Sequence, residues 1–165
     1  MNLEEYIKQF EGKWFIQRTS YKIDSRISQT NKGEARIVFN NLPYSQNLQL
    51  NSSTRYPSIL DLHLSYYQKN KMLSSSIILL YPFADRLNSA KIIKFLNRTQ
   101  LILGHCYFDG NQSIYINFRK NNFWIEDKIW FANQNLKLIT TTVRKNSLPY
   151  YTSFGSEIKI GDGSY

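Results

Sequence analysis

Three stretches carry residues whose type and spacing could do chemistry. The first is Glu11-Gly12-Lys13-Trp14-Phe15-Ile16-Gln17-Arg18-Thr19-Ser20-Tyr21. Side chains alternate along a strand, so Trp14, Ile16, Arg18 and Ser20 share one face. An Arg two pleats from a Trp on an enclosed face has two uses: it caps the indole as a cation–π contact, or it waits in a cavity for an anion. The second stretch runs from Glu126 through Trp130-Phe131-Ala132 to Val143, and its alternation puts Lys137, Ile139 and Thr141 on one face. The third is Thr152 to Ile160, where Phe154, Ile158 and Ile160 share a face and Gly155 and Glu157 point the other way. In an open sheet Glu157 is a solvated carboxylate; in a closed barrel it enters the lumen beside Arg18. Alternation does not say which face is inward.

Cys106, between His105 and Tyr107, invites a covalent-carrier role, but a lone Cys in a strand is more often a small buried residue, and that is the expectation here. Nothing around it in sequence would lower the thiol pKa. His63 and His105 read as ordinary strand residues. A single cysteine excludes a disulfide framework, and with two histidines no metal centre is expected.

The elements that must position these residues are mostly strands. Leu3, Tyr6, Ile7 and Phe10 fall at helical spacing, so residues 2–10 read as a short amphipathic helix. Strands follow near 13–23, 34–40, 47–52, 59–67, 74–81, 101–108, 112–119, 124–132, 135–144 and 151–160. Turn chemistry separates them at Asn31-Lys32-Gly33, Asn41-Leu42-Pro43, Tyr56-Pro57-Ser58 and Asn146-Ser147-Leu148-Pro149, with Asp109-Gly110 the sharpest hairpin signal. Residues 82–99 break the pattern, and Ala90 to Leu96 reads as a turn or two of helix. Gly12 suits a tight turn into the first strand. Without linker or repeat, residues 1–165 read as one domain. About ten short antiparallel strands with one N-terminal helix predict an all-β sandwich or an up-and-down barrel.

The 165 residues are 42% hydrophobic and 15% aromatic, with a formal charge of +9. No apolar run reaches the roughly 18 residues of a membrane span, and the acidic N-terminus lacks the features of a signal or transit peptide. The expectation is therefore a protein that works in the compartment where it is made. The positive charge points to an acidic partner, an anionic ligand or nucleic acid. Scattered rather than clustered Lys and Arg argue against nucleic acid, and no membrane association is expected. The abundance of Asn, Lys, Ile and Tyr suggests an AT-rich coding genome.

A short helix followed by Gly-x-Trp at the first strand resembles the opening of the lipocalins and their relatives, in which the Trp plugs the closed end of a barrel. More specifically, Glu11-Gly12-Lys13-Trp14-Phe15-x-Gln17-Arg18-Thr19-Ser20 resembles the opening motif of the S-type phycobiliprotein lyases. Ile129-Trp130-Phe131-Ala132-x-x-Asn135-Leu136-Lys137-Leu138 resembles their second block, and Phe154-x-Ser156-Glu157-Ile158-Lys159 their last. The blocks occur in family order and span nearly the whole chain; residues 40–125 match poorly.

The resemblance implies a lipocalin-like antiparallel barrel of about ten strands that holds a linear tetrapyrrole, a bilin such as phycocyanobilin or phycoerythrobilin, as substrate and needs no cofactor. It implies thioether attachment of that bilin to a cysteine of an apo-phycobiliprotein subunit, of phycoerythrin or phycocyanin, in the plastid of a red or cryptophyte alga or in cyanobacterial cytoplasm. Carried over by position, Trp14, Arg18, Glu126, Lys137 and Glu157 become bilin-binding residues, with Arg18 and Glu157 as the catalytic pair. Lys137 stands where the family usually has Arg, and Ile139 replaces a second Arg. Where the family's middle strand has a Trp followed by an acid, this chain offers Tyr66 and Tyr67, which face opposite ways. Arg18 and Lys137 would then anchor the two propionates, and Glu157 would hydrogen-bond pyrrole N–H groups and favour attack by the acceptor thiolate. Two rivals are kept: a non-enzymatic lipocalin-like carrier of a bilin or other hydrophobic ligand, and a basic barrel that binds RNA. A homodimer is left open.

Overall fold

The computed structural model describes residues 1–40, 58–66, 71–83, 86–95 and 101–161. Asn2 starts a helix α1, Leu3–Lys8, through a capping box: its side chain accepts from the Glu5 backbone N–H at 2.9 Å while the Glu5 carboxylate accepts from the Asn2 N–H at 3.0 Å. Ten strands follow among the described residues: β1 Gly12–Lys22, β2 Ile27–Asn40, β3 Ser58–Tyr66, β4 Lys71–Phe83, β5 Arg86–Phe95, β6 Leu101–Phe108, β7 Ser113–Lys120, β8 Phe123–Asn133, β9 Leu136–Lys145 and β10 Leu148–Gly161. Each is antiparallel to the next, and β1 pairs with β10, so the sheet closes on itself as an up-and-down barrel. Closure leaves no free edge strand.

Gly12 enters β1 at φ +134°, a conformation that L side chains rarely adopt. The Asp109-Gly110 hairpin forms as expected: the Asp109 carboxylate accepts from the Asn111 and Ser113 N–H groups at 2.7 and 3.0 Å, and Gly110 sits at φ +79°.

Two expectations fail for one reason. Residues 90–95 are strand, not helix, because Ala90, Ile92 and Lys94 in β5 lie opposite Cys106, Gly104 and Ile102 of β6. Ladder pairing on both sides of β5 overrides the helix propensity of Ala and Lys. The stretch Asn31-Lys32-Gly33 is not a turn either: it runs inside β2 opposite Arg18, Gln17 and Ile16, and the chain reverses at residues 23–26 instead. In both places a polar residue at an inward position hid the period of two. The strand expected at 47–52 and the turn at Asn41-Leu42-Pro43 lie outside the described residues, as does Tyr56-Pro57.

One end of the barrel is filled. Helix α1 buries Leu3, Tyr6 and Ile7, followed by Phe10, against Trp14, Phe108 and Phe131. Tyr6 is the hub, with ring centroids 4.7 Å from Phe108, 5.6 Å from Phe131 and 5.7 Å from Phe10. Its hydroxyl donates to the Gln112 carbonyl, and burial raises its pKa. The Trp14 indole N–H donates to the Phe10 carbonyl at 2.8 Å, fastening the helix exit to the floor of the barrel.

Candidate functional site

Register decides which side chains enter the barrel. Residues directly opposite one another in an antiparallel pair point to the same side. Starting from fully buried Trp14, the inward set on β1 is Trp14, Ile16, Arg18 and Ser20, and on β10 it is Ser153, Gly155 and Glu157. On β9 it is Lys137, Ile139 and Thr141, and on β8 it is Ile125, Asp127, Ile129 and Phe131. Phe154, Ile158 and Ile160 do share a face, and it is the outer wall, where each is about half exposed.

Near the closed end, Lys137 and Glu157 sit opposite each other on β9 and β10 and form an ion pair of 2.8 Å. Both are almost wholly buried, Lys137 at 2% exposure. The ammonium lies 4.4 Å from the Trp14 ring and 4.8 Å from Phe10. Burial lowers the Lys137 pKa while the Glu157 carboxylate holds it up. The cations over Trp14 are therefore Lys137 and Lys159, at 4.4 and 5.8 Å, and not Arg18. Of its two uses foreseen from sequence, capping the indole is ruled out.

Arg18 stands one pleat beyond Ile16, toward the other end. Its Nε is buried and has no hydrogen-bond partner, which is costly for so polar a group. Gly155 lies directly opposite; a Cβ there would come within 3.4 Å of the Arg18 Nε, so the missing side chain gives the guanidinium room.

Two further charged groups face this space, and sequence reasoning missed both. Asp127 of β8 lies opposite Thr141 of β9, whose hydroxyl donates to the carboxylate at 2.5 Å. Burial pushes the Asp127 pKa up, against the Thr141 hydrogen bond and the charges of Arg18 and Lys94. Lys94 of β5 points inward at the level of Phe118, its ammonium 6.0 Å from that ring. Burial pulls its pKa down; the Asp127 charge opposes that and the Arg18 charge adds to it. Among the described residues, the interior beyond the plug thus holds two cations and one carboxylate, Arg18, Lys94 and Asp127, with Ser20, Thr141 and Ser153 on the same inner face.

Glu126, expected to bind ligand, is on the outer wall and exposed, opposite Asn117 and Thr142. This corrects the reading by one residue: Asp127, in phase with buried Ile129 and Phe131, is the inward acid. That phase was visible in the sequence and could have found it. Lys94 carried no such signal, since its stretch reads as helix. Tyr66 is the last residue of β3, opposite Gly33, and its side chain and all of Tyr67 lie outside the described residues. Cys106 is an inward, 2%-exposed residue whose thiol burial pushes up to about 12, far from a thiolate at neutral pH.

No family model matches the chain. A chromophore lyase CpcS/CpeS homolog of Porphyra purpurea is 25% identical over 161 residues, covering 96% of this chain and all of that protein. Chromophore lyase CpcS/CpeS 1 of Trichodesmium erythraeum is likewise 25% identical, over 96% of this chain and 98% of its own length. Among solved structures, the S-type phycobiliprotein lyase CPES from Guillardia theta superposes with a TM-score of 0.74 over 97% of this chain and 93% of that one, at 16% identity, a likeness of fold. Over nearly its whole length the chain is thus similar to proteins named CpcS/CpeS chromophore lyases, and its fold is like that of an S-type phycobiliprotein lyase.

Proposed function

We propose that this protein is a chromophore lyase that holds a bilin in the polar half of its barrel and joins it, through a thioether, to a cysteine of an apo-phycobiliprotein subunit. The observation that carries this reading is Arg18: its buried Nε has no hydrogen-bond partner, and it stands near the charges of Lys94 and Asp127 inside a barrel whose full-length relatives are named chromophore lyases. A structural core has no use for such a group, whereas a ligand with carboxylates does.

The residues divide the work as follows. Arg18 binds one propionate through its planar fork, and Lys94 takes the second as a point charge. Asp127, with its pKa raised by burial, retains a proton more readily than an ordinary carboxyl group and supplies it to the tetrapyrrole nitrogens. A protonated bilin draws electrons from its ring-A ethylidene. The acceptor thiolate then adds to the ethylidene carbon, a C–S bond forms, and the electrons of the double bond take up the proton. The net change is addition of S–H across the double bond, with no leaving group and no redox step. Lys137 and Glu157, foreseen as propionate anchor and pyrrole partner, serve in this reading to hold the floor against which the ligand rests. Relatives in red algae and a cyanobacterium support work in an algal plastid or in cyanobacterial cytoplasm.

The test is reconstitution with bilin and separate apo-phycobiliprotein subunits, scored by colour that survives denaturation. Arg18→Ala and Lys94→Met should weaken bilin binding by about tenfold or more each. Asp127→Asn should slow transfer more than it weakens binding. Unimpaired transfer by all three variants overturns the assignment, and tight binding with no covalent product by the unaltered chain makes the protein a carrier.

A further inference from the structure

The open end of the barrel differs in charge from the plugged end. The turns that surround it carry Lys22 and Arg26 (β1–β2), Arg119 and Lys120 (β7–β8), and Arg144 and Lys145 (β9–β10). Among the described residues these six cations face one acid, Asp24, already 3.5 Å from Lys22. The plugged end is mixed, with Glu5, Glu11 and Asp109 near Lys8, Lys13 and Lys159. Among the described residues, the basic side chains at these turns form a collar around the open end.

Within that collar one place is built rather than merely charged. Arg119 of β7, Trp124 of β8 and Arg144 of β9 lie directly opposite one another on three adjacent strands and point outward. Trp124 is 43% exposed, and both arginines are exposed. The three residues, with Phe123 and the β7–β8 and β9–β10 turns, line a groove of ≈ 600 Å³. An exposed Trp between two Arg combines the residue types that dominate binding hot spots, and the two guanidiniums flanking it on one face favour an anionic partner.

We infer that this Arg119–Trp124–Arg144 groove docks an acidic segment of the acceptor protein beside the barrel mouth, with an apolar side chain on Trp124 and carboxylates on the arginines. The inference rests on the lyase reading, since it assumes an acceptor that must present its thiol to the lumen. Placement fits that need: β8 bears Trp124 on its outer face and, three residues on, Asp127 on its inner face. Docking there brings the acceptor to the rim nearest Asp127, and an acidic acceptor is steered to a basic collar at a salt-dependent rate.

The experiment measures transfer as a function of apo-subunit concentration for Arg119→Glu/Arg144→Glu and for Trp124→Ser, alongside bilin binding by absorbance and direct binding of the apo-subunit without bilin. The expected result is a KM for the apo-subunit raised by about tenfold or more, with kcat, bilin affinity and thermal midpoint close to those of the unaltered chain. The salt dependence of KM should flatten in the charge-reversed variant. An unchanged KM and unchanged apo-subunit binding in both folded variants overturns the inference. So does a groove that binds a single-stranded polyuridylate through these arginines while acceptor binding is unaffected, which would assign it to nucleic acid. If the unaltered chain binds bilin but transfers none, the lyase reading falls separately, and apo-subunit binding alone still decides the groove.

Discussion

Arg18 and Lys94 are cations that the barrel buries without giving either a full salt bridge, whereas Lys137, buried still more deeply, has one. On the proposed reading, that contrast separates groups kept for the bilin from groups that hold the fold. Burial disfavours the charged form of Lys94, so its native pKa lies below the ordinary 10.5. The native state then binds that proton less tightly than the unfolded chain, and stability rises as pH climbs from the lowered value toward 10.5. Lys94→Met should therefore raise the thermal stability at pH 7, by about 1 kcal/mol, while bilin affinity falls. Calorimetry and absorbance titration on one preparation check both halves. Asp127 has the opposite sign: its native pKa is raised above 3.8, so stability falls as pH rises through the window between the two values. Asp127→Asn should stabilise the protein more at pH 7 than at pH 4. A variant that loses more stability at pH 7 would show that Arg18 and Lys94 hold Asp127 as an anion. Of this site, Arg18 was legible because Trp14 and Ile16 fix the phase of β1. Asp127 was legible too, in phase with Ile129 and Phe131, but Glu126 beside it carries the same charge and drew the reading to the outer face.

At the scale of elements, the barrel reads well from sequence where the interior is apolar and poorly where it is polar. Strands β6 to β10 were placed within a few residues, since Phe108, Ile114, Ile129 and Ile139 mark the inward phase. Strand β5 was missed because its third inward residue is Lys94, and β2 was cut short because its inward residues near the mouth are Asn31 and Gln29, opposite Arg18 and Ser20. The polar inward residues are those that disguise the strand. Glycine marks a different constraint in β6. Gly104 lies opposite Phe118, and a Cβ on it would meet the Asn117 carbonyl oxygen at 2.4 Å and the Phe118 ring at 2.6 Å. Backbone cannot yield there as a side-chain tip can, so Gly104→Ala should cost about 1–3 kcal/mol. Phe118→Leu/Gly104→Ala should recover only part of that, because the carbonyl contact remains; denaturant midpoints for the two variants measure the split.

For the whole molecule, the proposed function divides the two ends of the barrel: the helix-plugged end would supply stability and the basic, polar end binding. Glu157 is the residue on which that division can be tested, since sequence likeness makes it catalytic and the structure pairs it with Lys137 in the floor. Glu157→Gln leaves a buried ammonium without its anion, which costs about 3–5 kcal/mol, enough to lower transfer simply by unfolding the barrel. Loss of activity in that variant alone therefore says nothing about catalysis. Replacing both partners with apolar residues of similar volume, Lys137→Met/Glu157→Leu, removes the unpaired charge and often restores stability. The expected outcome is a thermal midpoint near that of the unaltered chain, with bilin binding and thioether formation largely retained, because Arg18, Lys94 and Asp127 are untouched. A double variant that folds and binds bilin but forms no thioether would move the proton donor from Asp127 to Glu157. The floor would then be part of the reaction and not only the surface on which the ligand rests.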